Sequence, residues 1–248
     1  MFQFFVDKSQ ILESEGLAYI TGSDVNHISH VLRMKQGEQF YVTDGESQGK
    51  YLCALKSVSE EQVTCDILQN ITDSCELPCE IVLYQGLPKA DKMELIIQKA
   101  VELGASRIVP VATKRSIVKL DAKKAQSKIS RWQGIAEAAA KQSKRDVIPE
   151  ISDLMTLKEA LKEASDSEVS MMPYENAEGM AYTRSLLDNI RPGQRVAIFI
   201  GPEGGFDESE VEAALAMGTK PVTLGRRILR TETAGLAILS MLVYVLEA

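Results

Sequence analysis

The chain is poor in the residue types that build metal and disulfide sites. Its 248 residues include two histidines and four cysteines, and only Cys75 and Cys79 form a closely spaced C-x3-C pair. A zinc site needs a tighter grouping of nitrogen and sulfur ligands, so we expect no metal. The cysteines are expected to be reduced thiols of a cytoplasmic protein.

Long apolar runs and nucleotide-binding fingerprints are also missing. No segment approaches the roughly 18 consecutive apolar residues of a membrane span. The N-terminal sequence MFQFFVDKSQ has no basic segment before an apolar one, so we expect no secretory signal. Neither GxGxxG nor GxxxxGK[ST] occurs, which removes the usual dinucleotide and P-loop motifs. These absences favour a globular protein that does not bind membranes.

Two glycine-containing loops near the C-terminus are the most informative segments that are present. In IFIGPEGGF (198–206) and TLGRRILRTETAGLAIL (223–239), a strand-like run ends at a glycine and leads into a helix. This pattern predicts backbone amides at the carboxyl edge of a parallel sheet, where open α/β folds bind ligands. Asp207 with Glu210 predicts a helix-capping box, and Thr231 is predicted to cap the last helix. A single glycine of this kind is as typical of an ordinary βα turn as of a ligand site. The presence of two such loops favours a ligand site.

The order of predicted elements divides the chain in two. Residues 1–72 contain short strand-like runs (FQFFV, EQFYVTD, YLCALKSV and QVTCDIL) and one helical interruption, which predicts a small β-barrel. From about residue 78, strands alternate with helices, which predicts a parallel sheet in an α/β domain. We therefore predict domains at 1–72 and 73–248, with a short linker over 73–79.

The net charge of −7 conceals a basic segment. Residues 87–145 hold 14 Lys and Arg against 5 Asp and Glu, whereas residues 1–72 hold 5 against 10. This asymmetry favours a polyanionic partner, although a solvated helix face is an alternative. The cations that recur at helical spacing and predict one basic stripe are Lys124, Lys128, Arg131, Lys141 and Arg145.

Several segments together resemble a known enzyme family, the RsmE-type small-subunit ribosomal RNA uridine N3-methyltransferases of the SPOUT superfamily. They are HISHVLRMKQGEQF (27–40), LPKADKMELIIQKAVELGASRIVPVATKRS (87–116), RWQGIAEAAAKQSKRDVIPEI (131–151), GPEGGF (201–206) and LGRRILRTETA (224–234). GPEGGF followed by LG-x-RILRTETA is the most specific part. One departure is Ala90, which stands where the family pattern has glycine after LPK.

The resemblance implies a fold that residue patterns do not supply. It implies a PUA-like RNA-binding β-barrel, followed by a SPOUT-type α/β domain whose parallel sheet carries a C-terminal trefoil knot. Pattern reasoning alone predicts an unknotted flavodoxin-like sheet. The resemblance also implies S-adenosylmethionine as the cofactor, bound in the knot, and a homodimer. The last helix has an apolar face that fits either a partner subunit or the core of its own domain, formed by Leu236, Leu239, Leu242, Val243 and Leu246.

The implied reaction is transfer of the sulfonium methyl group to N3 of one uridine in 16S ribosomal RNA, within the 30S particle. Uridine N3 must lose a proton, so a base or an anion-stabilising cation is needed, and Arg230 and Glu232 are the candidates. The implied cofactor contacts are Gly201, Glu203, Gly205, Leu224, Gly225, Ile228, Leu229 and Arg230. The expected RNA contacts are Arg33, Lys89, Lys92, Arg115, Arg131 and Arg145.

Two other functions remain open at this point. A SPOUT enzyme that modifies a ribose 2′-hydroxyl or another base would share the sheet and the loops. A ribosome-assembly factor without catalytic activity would share the basic segment and the barrel, but it would have no need of two cofactor loops.

Overall fold

A computed structural model describes residues 1–46, 49–175, 177 and 179–247. The chain forms two compact units, one of Met1–Glu76 with Ala140–Ile148 and one of Leu77–Ala139 with Pro149–Ala248. The first unit therefore includes a segment that the sequence pattern had placed in the second domain.

The first unit is built on a six-stranded sheet in the order β1-β4-β5-β6-β3-β2. Neighbouring strands are antiparallel except β1 and β4, which are parallel. Alternate residues such as Phe40 and Val42 of β4 are fully buried, as expected for a sheet with one face on a core. The elements are β1 (Gln3–Phe5), β2 (Ile11–Leu12), β3 (Leu17–Thr21), α1 (Ser23–Asn26), β4 (Gln39–Thr43), β5 (Lys50–Val58) and β6 (Gln62–Ile71), with a π-helical turn at His27–Val31.

Buried polar contacts join residues 140–148 to this unit. Asp146 is fully buried and forms an ion pair with Lys50, and the Thr43 hydroxyl donates a hydrogen bond of 3.0 Å to the Asp146 carbonyl. Arg145 forms an ion pair with Glu76. A buried charge is costly without its partner, so these pairs explain why the segment belongs to the first unit.

The second unit is an α/β fold on a wholly parallel sheet. Its strands run in the order β10-β8-β7-β12-β11-β13, and β9 also pairs with β8. The elements are β7 (Glu80–Gly86), α2 (Lys92–Glu102), β8 (Arg107–Ala112), α3 (Ala122–Ser143, whose last four residues belong to the first unit), β9 (Glu150–Ile151), β10 (Met155–Thr156), α4 (Leu157–Ala164), β11 (Val169–Pro173), α5 (Met180–Asp188), β12 (Arg195–Ile200), α6 (Glu208–Ala216), β13 (Lys220–Val222) and α7 (Thr231–Leu246).

The central strands of this sheet are mostly apolar. β7 and β12 are buried at nearly every position, which is typical of parallel strands covered on both faces. Tyr84 of β7 stacks on Phe199 of β12 with ring centroids 4.6 Å apart. The predicted arrangement, an α/β domain with a parallel sheet after a smaller β-rich domain, is confirmed. Within the described ranges, no helix combines the length and the apolar character needed to span a membrane.

For the last helix, the structure decides between the two alternatives for Leu239 and Leu242 and corrects one expectation. Leu239 and Leu242 are completely buried within the chain, where α7 packs on α2 and α5, so these leucines belong to the core of their own unit. Thr231 is the first helical residue rather than the cap, which is Arg230. The Thr231 hydroxyl is instead used in a contact with another loop. At α6, Asp207 and Glu210 do form the predicted capping box.

Candidate active site

A cleft of about 660 Å³ opens at the carboxyl edge of the parallel sheet, within the second unit. It is bordered by the segments that follow β11, β12 and β13. All eight predicted cofactor residues line it, namely Gly201, Glu203, Gly205, Leu224, Gly225, Ile228, Leu229 and Arg230. The volume lies in the range typical of small-molecule sites.

The loop after β12 packs closely against neighbouring backbone. A Cβ atom on Gly201 would lie 3.1 Å from the backbone of Gly205, and one on Gly86 would lie 2.7 Å from Pro202. Gly205 has φ +65° and donates its amide to the Pro202 carbonyl at 2.9 Å. A side chain at Gly86 is therefore excluded by space, and one at Gly201 would require its neighbours to shift slightly, whereas at Gly205 the restriction is conformational.

The loop after β13 is anchored at its beginning by two threonines. The buried Thr183 hydroxyl accepts from the Thr223 amide at 3.1 Å and donates to its carbonyl at 3.0 Å. Gly225 then has φ +112°, a conformation that strongly favours glycine. Beyond it, Ile228 is 88% exposed, so it lies at the edge of the cleft.

A buried hydrogen-bond chain anchors the other end of this loop. Gln85, fully buried at the end of β7, donates its side-chain amide to Thr231 Oγ1 at 2.9 Å. Thr231 Oγ1 in turn donates to the Gly201 carbonyl at 2.6 Å. The chain joins the centre of the sheet, the start of α7 and the loop after β12.

Lys92 connects the two predicted acidic site residues. Its ammonium lies 3.0 Å from Glu203 Oε1 and 3.3 Å from Glu232 Oε2, and the Lys89 amide donates to Glu203 at 3.1 Å. The hydrogen bond to Glu203 is the main cause that raises the pKa of Lys92 above its usual range. Burial alone would raise the pKa of Glu203, but backbone hydrogen bonds and Lys92 together hold it below its usual range. Glu203 is therefore ionised at neutral pH.

The segment after β8 contributes Arg115 to the lining of the cleft. Arg115 donates to the Gly204 carbonyl at 3.2 Å and lies 3.5 Å from Asp207. The Lys114 amide donates to the buried carboxylate of Glu210 at 2.8 Å. The capping box of α6 is thereby tied to the segment that follows β8.

The six predicted RNA-binding residues fall into different environments. Arg33, with φ +52°, and Lys89 are exposed, and Lys92 and Arg115 line the cleft. The Arg131 side chain is 63% exposed but forms a 2.9 Å ion pair with Glu94.

Arg145 has to be removed from the predicted RNA surface. Its side chain is only 5% exposed, and its guanidinium is ion-paired with Glu76. It lies beyond the end of α3 and therefore outside the helical stripe that the spacing predicted.

Sequence reasoning missed several residues that shape the cleft. Gln85 and Tyr174 follow the rule that ligands lie at the carboxyl ends of parallel strands, so the position of β7 and β11 was a usable signal. Thr183 gave no signal, because its partner Thr223 is 40 residues away in sequence.

Comparisons with known proteins agree with this site. A family model for an RNA methyltransferase domain matches residues 75–243, and a model for an RNA methyltransferase PUA domain matches residues 20–68. Ribosomal RNA small subunit methyltransferase E of Bacillus subtilis is 38% identical over 253 residues, covering 100% of this chain and 98% of that protein.

Two solved structures of relatives contain S-adenosylmethionine. The ribosomal RNA small subunit methyltransferase E of Neisseria gonorrhoeae is 32% identical, with a TM-score of 0.82 over 97% of this chain and 96% of that one. A putative methyltransferase of Legionella pneumophila is 30% identical, with a TM-score of 0.81 over 97% and 95%. The match of the methyltransferase model to most of the chain, with a full-length relative at 38% identity, confirms the predicted enzyme class. The chain belongs to the ribosomal RNA small subunit methyltransferase E family of RNA methyltransferases.

Proposed function

We propose that this protein transfers the methyl group of S-adenosylmethionine to N3 of one uridine in 16S ribosomal RNA. The proposed substrate is the RNA within the 30S particle, in the cytoplasm. The observation that carries the proposal is that every residue implied as a cofactor contact lines one cleft.

The residues of the cleft fit the cofactor. Left-handed glycines at Gly205 and Gly225 have open space where a Cβ would be, which leaves room for a ligand against the backbone. Leu224 and Leu229 offer apolar surface for adenine, and Glu203 offers a negative charge to a cationic molecule. When bound, the cofactor supplies an activated methyl group, so the protein has mainly to orient the reactants.

The chain's own residues would then manage the proton on uridine N3. Glu232, at the start of α7, does not line the cleft itself, but its carboxylate lies 3.3 Å from the ammonium of Lys92, which does, and it is the proposed acceptor of that proton. Arg230 is exposed and lines the cleft, and its guanidinium would stabilise the negative charge that develops on the uracil. The proposed contacts with RNA are the exposed cations Arg33, Lys89, Arg115 and Arg131, together with the half-buried Lys92 of the cleft.

The path of the C-terminal segment supports a trefoil knot. The chain leaves β13 at one edge of the sheet and reaches Thr231, which contacts Gln85 and Gly201 at the centre of the sheet. The loop over 223–230 must therefore cross back over neighbouring strand ends. We propose that this crossing forms the knot.

The exposed side of α7 supports a homodimer. Tyr244 is 77% exposed although it belongs to a helix that is otherwise strongly apolar. Met241, one turn before Tyr244, is only half-buried, and contiguous exposed apolar side chains of this kind are typical of subunit interfaces. We propose that a second copy covers this side.

Nucleoside mass spectrometry tests the proposed reaction. Ribosomal RNA from cells lacking this gene is expected to lose one N3-methyluridine, and purified protein with S-adenosylmethionine is expected to restore it on 30S particles. A missing 2′-O-methyl group or another methylated base would favour a different SPOUT target. Failure to bind S-adenosylmethionine in calorimetry would favour an assembly factor.

A further inference from the structure

The middle of the loop after β13 is exposed although both of its ends are held. The Thr183–Thr223 hydrogen bonds hold one end, and the Gln85–Thr231–Gly201 chain holds the other. Between them, residues 226–228, here called the loop tip, are exposed. The loop tip is thus exposed to solvent, while hydrogen bonds fix the position of both ends of the loop.

The cleft is cationic in a chain whose net charge is −7. Among its described lining residues are five cations, Lys92, Arg115, Arg226, Arg227 and Arg230, and two carboxylates, Glu175 and Glu203. Lys92 pairs with Glu203, and Arg115 lies near Asp207. In the part of the chain that the structure describes, no ion pair joins Arg226 or Arg227 to a carboxylate.

The charge of the cofactor indicates that Arg226 and Arg227 bind a different ligand. S-adenosylmethionine carries a sulfonium and an ammonium group against one carboxylate, so it is a cation at neutral pH. Arg226 and Arg227 would repel it on balance. A polyanion that approaches the same cleft would instead gain from both charges.

We propose that Arg226 and Arg227 bind backbone phosphates of single-stranded RNA next to the methylated nucleotide, while Ile228 packs against an unstacked base beside them. This assignment rests on the proposed function, because it takes RNA as the substrate. Ile228, which the resemblance implied as a cofactor contact, is 88% exposed at the edge of the cleft and directly follows the two arginines, so we reassign it to the RNA. Enzymes that act on a base must remove it from its stack, and an apolar side chain can occupy the space that is vacated.

The ionic part is tested by the salt dependence of RNA binding. The double variant Arg226→Gln/Arg227→Gln is titrated with purified small-subunit ribosomal RNA over a range of salt concentrations. Each lost phosphate contact lowers the slope of log affinity against log salt by about 0.7 to 0.9. The matched control, Lys158→Gln/Arg184→Gln, removes two exposed cations of the same unit that do not line the cleft, and its slope is expected to match the unsubstituted protein.

The apolar part is tested separately by Ile228→Ala. This variant is expected to bind the same RNA more weakly with an unchanged salt slope, because no charge is lost. Leu215→Ala, which truncates an exposed leucine on α6 outside the cleft, is the control and is expected to bind RNA normally.

The double arginine variant is also tested for its affinity for S-adenosylmethionine by calorimetry. That affinity should be preserved or increased.

Three results would overturn the inference. An unchanged salt slope would show that the arginines do not contact phosphate, and a loss of cofactor affinity in the arginine variant would assign the loop tip to the cofactor. Conversion of a dimer to a monomer by Ile228→Ala would assign it to a second copy. If the slope falls as expected but N3-methyluridine is not the product, the RNA contact stands and only the proposed target fails.

Discussion

Gly205 has φ +65° and no heavy atom within 4 Å of the position its Cβ would take. A side chain there would strain the backbone by about 1 to 3 kcal/mol and would also enter the cleft. We expect Gly205→Val to abolish binding of S-adenosylmethionine in calorimetry while the protein still unfolds cooperatively.

The control for this change is Gly134→Ala. Gly134 also has open space around its Cβ position, but it lies within α3 and has no positive φ. Cofactor affinity is expected to be unaffected there. If Gly205→Val binds the cofactor normally, the glycine serves only the turn.

Ala90 shows the cost of a non-glycine residue in a left-handed turn. It has φ +54° in the loop that positions Lys89 against Glu203. The left-handed conformation costs an alanine about 1 to 2 kcal/mol, and part of this is offset by the greater freedom of glycine in the unfolded chain. Ala90→Gly is therefore expected to raise the free energy of unfolding by up to about 1 kcal/mol in urea titrations. A loss of stability would show that the turn is not strained.

The lowered pKa of Glu203 predicts that the free energy of unfolding depends on pH in the acid range. Because its pKa in the folded protein is below the unfolded value of about 4.3, it stabilises the protein above that pH. That contribution is lost as pH falls through the lower folded value. When urea unfolding is measured over a series of pH values, the stability of the Glu203→Gln variant is expected to fall less steeply towards acid pH than that of the unsubstituted protein. Parallel curves would show that the ionised Glu203 carboxylate contributes nothing to stability.

At the level of elements, one hydroxyl couples α7 to the cofactor loop. Thr231→Val would leave the Gly201 carbonyl and the Gln85 amide without their buried partner, at a cost of about 1 to 3 kcal/mol. We expect lower thermal stability and weaker binding of S-adenosylmethionine. Thr231→Ser keeps the hydroxyl and is expected to restore both. A serine variant as impaired as the valine variant would point to the lost methyl group instead.

Local signals predicted the elements whose causes are local. Asp207 and Glu210 are three residues apart, and the capping box predicted from that spacing is present at the start of α6. Thr231 was assigned to a cap because sequence shows only neighbours, whereas its partner Gln85 lies 146 residues away. Arg145 was assigned to a basic stripe for the same reason, since burial against Glu76 depends on tertiary packing.

For the whole molecule, the proposed homodimer can be tested at Tyr244. If a partner covers this side chain, Tyr244→Asp would bury an unpaired carboxylate at the interface, which costs several kcal/mol. Sedimentation is expected to show a folded monomer. A methylation assay of the same variant is expected to show little methyl transfer. Leu242→Asp is the contrast, because Leu242 is fully buried within the chain and its replacement should abolish cooperative melting. A dimeric Tyr244→Asp protein would place the interface elsewhere.

The division of the chain was only partly predictable. The change from short strands to alternating strands and helices indicates two domains, and the glycine loops indicate the carboxyl edge that holds the cleft. No local pattern indicates that residues 140–148 return to the first unit, because the return depends on the buried pair of Lys50 and Asp146.

Because residues 140–148 belong to the first unit, that unit can be completed only after most of the second unit's first half has been synthesised. Residues up to Glu76 leave the ribosome well before Arg145 and Asp146, their buried partners. At about 5 to 20 residues per second, the roughly seventy intervening residues take on the order of 4 to 14 s to be made. During that interval Lys50 and Glu76 have no partners from this segment. The N-terminal unit is therefore expected to gain full resistance to proteolysis only in nascent chains that extend beyond Ile148.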